Sequence, residues 1–229
     1  DRPRPPAAVS SGGPDSFGYL WFDSFSGGPA VDYLIGSDVP LALYDEDSVV
    51  ASIGFAFPFY GSTYTQARVH ANGALTLGSG GASLSFGNPC PPATAQPLIA
   101  PFWDDLYPGG SWTVFDAGVY VTLGQHPSTG ENVFVAEWWG VERYAGSDPL
   151  TFEVILYESG AVEFHYLDVI SGSSPGDRGG SASIGIASTG GASTLSPSCN
   201  SASLLVDNYA IAFDPPPAGV PIAICGSTI

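Results

Sequence analysis

Leu150-Thr151-Phe152-Glu153-Val154-Ile155-Leu156-Tyr157, followed by Glu158-Ser159-Gly160 and Ala161-Val162-Glu163-Phe164-His165-Tyr166-Leu167, is the stretch that decides the fold. Phe152, Val154 and Leu156 share one face of an extended chain, and Val162, Phe164 and Tyr166 share one face of the next. That is the period of two that a half-buried strand requires. A two-residue loop at Ser159-Gly160 would set Leu156 opposite Glu163, core against solvent. A three-residue loop sets Leu156 opposite Val162 and Val154 opposite Phe164, so the hairpin turns through Glu158-Ser159-Gly160 with Gly160 left-handed. The same register pairs Glu153 with His165 on the solvent face.

Working outward, strands are predicted at residues 18–22, 33–35, 50–55, 66–77, 98–102, 118–123, 132–139, 181–187 and 209–213. Between Arg68 and Leu77, Val69, Ala71, Leu75 and Leu77 fall on one face, which places Arg68, His70, Asn72 and Thr76 on the other and His70 in solvent. Asn132 to Trp139 is apolar on both faces apart from Glu137, the pattern of a central strand covered on both sides. Thirty Gly and 21 Pro punctuate the chain, and no stretch sustains a helical period. The expected fold is all-β: an antiparallel, jelly-roll-like sandwich over residues 15–217. A Pro-rich arm (residues 1–14) precedes it and a strand-like arm (residues 218–229) follows. At 229 residues one undivided β domain is expected, and thirteen Phe, eleven Tyr and five Trp suffice for its core.

The 22 acidic residues outweigh five Arg, and there is no Lys. A net charge of −17 repels phosphate backbones and anionic lipid, so nucleic-acid partners are not expected. Without Lys the chain can form neither a Schiff base nor a Lys-to-Asn isopeptide cross-link. It begins at Asp1 and has no long apolar run, which predicts an exported protein freed of its signal peptide and without a membrane span.

Three runs between Gly54 and Leu106 add a family signature. They are Phe57-Pro58-Phe59-Tyr60-Gly61, Val69-His70-Ala71-Asn72-Gly73-Ala74-Leu75-Thr76-Leu77-Gly78 and Leu98-Ile99-Ala100-Pro101-Phe102-Trp103-Asp104-Asp105-Leu106. With Phe134-Val135-Ala136-Glu137-Trp138, the hairpin's first strand and Ala210-Ile211-Ala212-Phe213, they resemble the β-rich module of many secreted bacterial proteins, related in pattern to the nidogen-like extracellular domain. The resemblance spans roughly residues 15 to 217 and implies an extracellular, mostly non-catalytic part. It also implies that Cys90 pairs with Cys199, because the family often carries cysteines in these two loops rich in Pro, Ser and Asn. Such a closure contributes roughly 4 to 5 kcal/mol in the chain-entropy model. Cys225 is then left over, free or paired with another chain.

Asp104 and Asp105 adjoin Trp103, but neighbours on a strand face opposite ways and cannot form a carboxylate dyad with each other. Asp45-Glu46-Asp47 supplies hard oxygen ligands, so Asp45, Asp47, Asp104 and Asp105 are candidate Ca²⁺ ligands, with an exposed acidic turn as the alternative. No His-x-x-x-His or Cys-x-x-Cys pair, nucleophile elbow or phosphate loop occurs. Trp138, Trp139 and Trp112 serve either packing or a glycan-stacking platform. In the C-terminal arm Val220, Ile222 and Ile224 alternate with Pro221, Ala223 and Cys225, strand patterning beyond the prolines that end the domain. Burying those three side chains on another copy contributes about 5 to 9 kcal/mol before ordering costs. The expected function is therefore non-enzymatic: an extracellular structural or adhesive subunit that assembles with copies of itself into a surface fibre or layer by strand addition, Val220, Ile222, Ile224 and Cys225 forming the interface. The alternative is a carbohydrate- or calcium-binding adhesion module whose partners are glycans or other surface proteins.

Overall fold

The computed structural model of the chain describes residues 10–34, 39–108, 116–144, 146, 149–170 and 176–217. Val220, Ile222, Ile224, Cys225 and Trp112 lie outside them. The described chain is a sandwich of two antiparallel sheets.

The first sheet contains β1 (Ser11–Gly12), β2 (Leu20–Asp23), β14 (Tyr209–Asp214), β11 (Val162–Asp168), β10 (Pro149–Tyr157) and β9 (Asn132–Arg143) in that spatial order. The far side of β9 is shared by β8 (Gly118–Gln125) and the short β7 (Leu106–Tyr107). The second sheet runs β13 (Thr194–Cys199), β12 (Ser183–Ala187), β6 (Leu98–Trp103), β5 (Ala74–Leu77), β4 (Ser62–His70) and β3 (Ser48–Phe59).

The hairpin has the expected register. Leu156 lies opposite Val162, Val154 opposite Phe164 and Glu153 opposite His165, with Gly160 at φ 95°. Its inward residues meet the second sheet in a continuous aromatic core. Trp138 stacks on Phe152 at 5.1 Å between ring centres, and Phe102 stacks on the same ring at 5.3 Å. Two buried donors tie the layers together. Trp138 Nε1 donates to the His70 carbonyl at 3.1 Å and Tyr166 OH to the Pro101 carbonyl at 2.8 Å. These bonds satisfy polar tips that would otherwise be costly inside an apolar layer.

Four expectations are corrected. Residues 66–77 are not one strand but the hairpin β4–β5, with His70 opposite Ala74 and the turn at Ala71-Asn72-Gly73. Gly73 adopts φ 74°, and a Cβ there would overlap the Phe102 carbonyl oxygen, so both backbone shape and space demand glycine. His70 is not in solvent but fully buried, because residues 79–86 fold across the outer face of this hairpin. Glu153 and His165 are likewise buried, under residues 29–34. Ser11 and Gly12, expected in the N-terminal arm, instead form the edge strand β1 against Phe22 and Trp21.

Candidate functional site

Two of the signature runs, residues 69–78 and 98–106, converge at one corner of the sandwich. Asn72, fully buried in the β4–β5 turn, accepts from the Leu106 amide at 2.9 Å and donates to the Leu84 carbonyl at 3.1 Å. It thereby ties the β6–β7 corner and the covering loop to a single side chain. His70 completes the seal, its Nδ1 accepting from the Leu84 amide at 3.1 Å and its Nε2 lying 2.9 Å from Thr76 Oγ1. Burial, reinforced by the Arg68 cation, lowers its pKa to about 3 and keeps the ring neutral.

Just beyond β6, Asp104 is buried and committed. Its Oδ2 accepts from Arg143 Nε at 2.9 Å and Ser181 Oγ at 2.6 Å, while Oδ1 accepts from the Asp105 amide at 2.9 Å. Its carboxylate thus joins β9 and the loop before β12 to this corner. The Asp105 carboxylate instead meets Asp45 and Glu46, with oxygens of all three within 4.8 Å of one another. Burial first, then Asp45, Glu46 and Asp104, raise the pKa of Asp105, while Arg143 opposes them.

The four calcium candidates therefore divide. Asp45 and Asp105 come together with Glu46, the middle residue of the acidic triplet. Asp104 is taken by Arg143 and Ser181. Asp47 closes its own turn, Oδ2 accepting from the Tyr44 amide at 3.2 Å. The Asp45, Glu46 and Asp105 oxygens are chemically suited to a hard cation.

A second polar cluster, built around the expected Glu153–His165 pair but buried, lies on the outer face of the first sheet. Glu163 Oε2 accepts from Tyr157 OH at 3.0 Å and sits 3.0 Å from His165 Nε2. Glu153 Oε1 accepts the Leu34 amide at 2.9 Å and lies 3.9 Å from His165 Nδ1. Burial pushes the pKa of Glu153 up to about 9. The Leu34 N–H opposes the shift, and Glu137, Asp32 and Glu163 add to it. Beside this cluster opens a cleft of about 340 Å³ whose lining includes Asp32, His126, Glu131 and Tyr157.

Trp138 belongs to the core and not to a surface platform, whereas Trp139 is only partly buried. Cys90 is bonded to Cys199 at 2.02 Å, as the resemblance implied. That bond links the segment between the covering loop and β6 to β13, a Ser- and Pro-rich strand that sequence reading missed.

No curated protein and no solved structure matches this chain. The family model described as NIDO related matches residues 30–218. That match embraces the β4–β5 turn, the Asp104 corner and both cysteines of the disulfide, and the chain belongs to the NIDO-related family.

Proposed function

We propose that the protein is a non-enzymatic extracellular structural or adhesive subunit that associates with copies of itself through the segment after Pro217. The observation that carries this reading is the position of β14. It pairs with β2 on one side and β11 on the other, so both of its hydrogen-bonding edges are occupied when it ends at Asp214. The alternating Val220, Ile222 and Ile224 consequently have no vacant lane beside the strand they follow. An apolar strand without a neighbouring lane pairs at another edge, and an edge on a second copy makes a heterologous contact that propagates into a ring or filament. Deleting residues 218–229 tests the reading. The expected product keeps the melting temperature of the sandwich and no longer assembles, whereas unchanged assembly removes the segment from the account.

A second reading is favoured by the Asp45, Glu46 and Asp105 oxygens, which would suit a calcium-stabilised adhesion module. A calcium-dependent rise in melting temperature that Asp105→Asn removes would support it. No response to calcium would retire it.

A further inference from the structure

The self-association proposed above needs an acceptor, and we propose that it is the open side of the sandwich between β8 and β3, filled by residues 218–229 of a second copy. β8 is the outer strand of the first sheet at this side, paired along its length with β9. On its free edge the Val119 carbonyl accepts from the Leu41 amide at 2.7 Å. Outward-pointing backbone groups recur at every second residue of an antiparallel strand, so Val121, Leu123 and Gln125 present theirs on the same edge. Among the described residues none pairs with them. They form a short template for one more strand.

The side chains argue for the same occupant. Val119 is fully buried and Val121 packs on the core, which fixes their parity as the inward face of the sheet. Leu123 shares that parity but is 51% exposed. It lies over Gly54, whose missing Cβ would approach it to 3.2 Å. An inward-facing leucine left half in water marks a core position lacking its cover. The opposing strand β3 shifts its ladder register here, between Ser52 and Phe57, and meets Leu123 at a glycine, so the second sheet covers that side chain only in part. Between the two strands lies a cleft of about 360 Å³ whose lining includes Ile53, Gly54, Phe55, Leu123 and Val133. A strand laid along β8 would direct alternate side chains into it, the spacing that Val220, Ile222 and Ile224 provide.

The chain's own segment falls short of this edge. Pro215 lies at Gly160 in the β10–β11 turn and Pro216 at Gly18 beside β2, so the described chain ends close to β14 itself. Reaching a lane beyond β8 from β14 means crossing β11, β10, β9 and β8, about 24 Å at the usual strand spacing. From Pro216 a fully extended chain spans roughly 14 Å to Val220 and 21 Å to Ile222. Val220 and Ile222 therefore fall short of this edge within their own molecule, and a run seated along β8 through all three side chains comes from a second copy.

The test uses the full chain carrying a photoreactive residue in place of Ile222, assembled from a mixture of light- and heavy-isotope copies. Cross-links between light and heavy copies that map to residues 53–55 or 121–125 are expected. Leu123→Arg should reduce their yield about tenfold, the effect of losing one buried leucine. Light–heavy cross-links that map elsewhere would overturn the acceptor and leave self-association standing. Cross-links confined to single copies, or none at all, would overturn both.

Discussion

Replacing Glu153 by Gln should stabilise the protein at neutral pH and leave its stability in acid unchanged. Glu153 is buried beneath residues 29–34 and faces Glu137 on β9, His165 and Glu163 on β11, and Asp32 and Tyr33 in the covering segment. Its pKa rises on folding from 4.5 to about 9, so between these values the folded chain holds a proton that the unfolded chain has lost. A group raised in this way contributes its full stability below pH 4.5 and loses it as pH climbs toward 9, at about 1.4 kcal/mol per pH unit. At pH 7 the accumulated cost is about 3 kcal/mol. Gln is neutral in both states and still offers an oxygen to the Leu34 amide, so it escapes that cost. The difference corresponds to a rise of roughly 6 to 12 °C in melting temperature for a domain of this size. Thermal melts of both proteins at pH 4, 5.5, 7 and 8.5 provide the measurement. His70 works in the opposite sense, its lowered pKa removing stability below pH 6.5, but it is common to both proteins and cancels in the difference. Curves that coincide at pH 4 and diverge steadily above pH 5 are expected. Parallel curves would refute the argument by showing that Glu153 ionises freely in the fold.

Gly73→Ala should destabilise the sandwich by at least about 2 kcal/mol, since φ 74° is strained for alanine and its Cβ overlaps the Phe102 carbonyl. Chemical denaturation checks this, with a smaller effect expected at Gly78, where a Cβ meets nothing. Arg143→Ala should cost roughly 2 kcal/mol by leaving Asp104 buried without its cation. That is less than for a fully buried pair because a fifth of the Arg143 side chain is exposed, and Asp104→Asn in the same background should recover part of the loss. Changing both Cys90 and Cys199 to Ser should lower stability by about 2 to 4 kcal/mol, read from the denaturation midpoint.

The architecture was legible wherever one face of a strand is buried and the next residue is not. The β10–β11 register followed from a choice between two loop lengths, because a one-residue slip would have turned every apolar side chain outward. The doubly buried β9 was equally legible from its two apolar faces. What the pattern concealed were polar residues covered by irregular chain. His70, Glu153 and His165 occupy positions that alternation assigns to water, and they are buried by residues 79–86 and 29–34, whose sequences carry no period. The β4–β5 turn did have a signal, since Asn72-Gly73 is a strong hairpin dipeptide. It was masked by apolar alternation continuing on both sides. At the acidic corner, spacing brought Asp45 near Asp105 in expectation, but the commitment of Asp104 depends on Arg143 and Ser181, distant partners that no local pattern reveals.

Electron microscopy of the purified full chain across a dilution series tests the central claim most directly. The account predicts rings or filaments built from head-to-tail copies, dissociating only at low concentration. Single, uniform monomers at every concentration would contradict it.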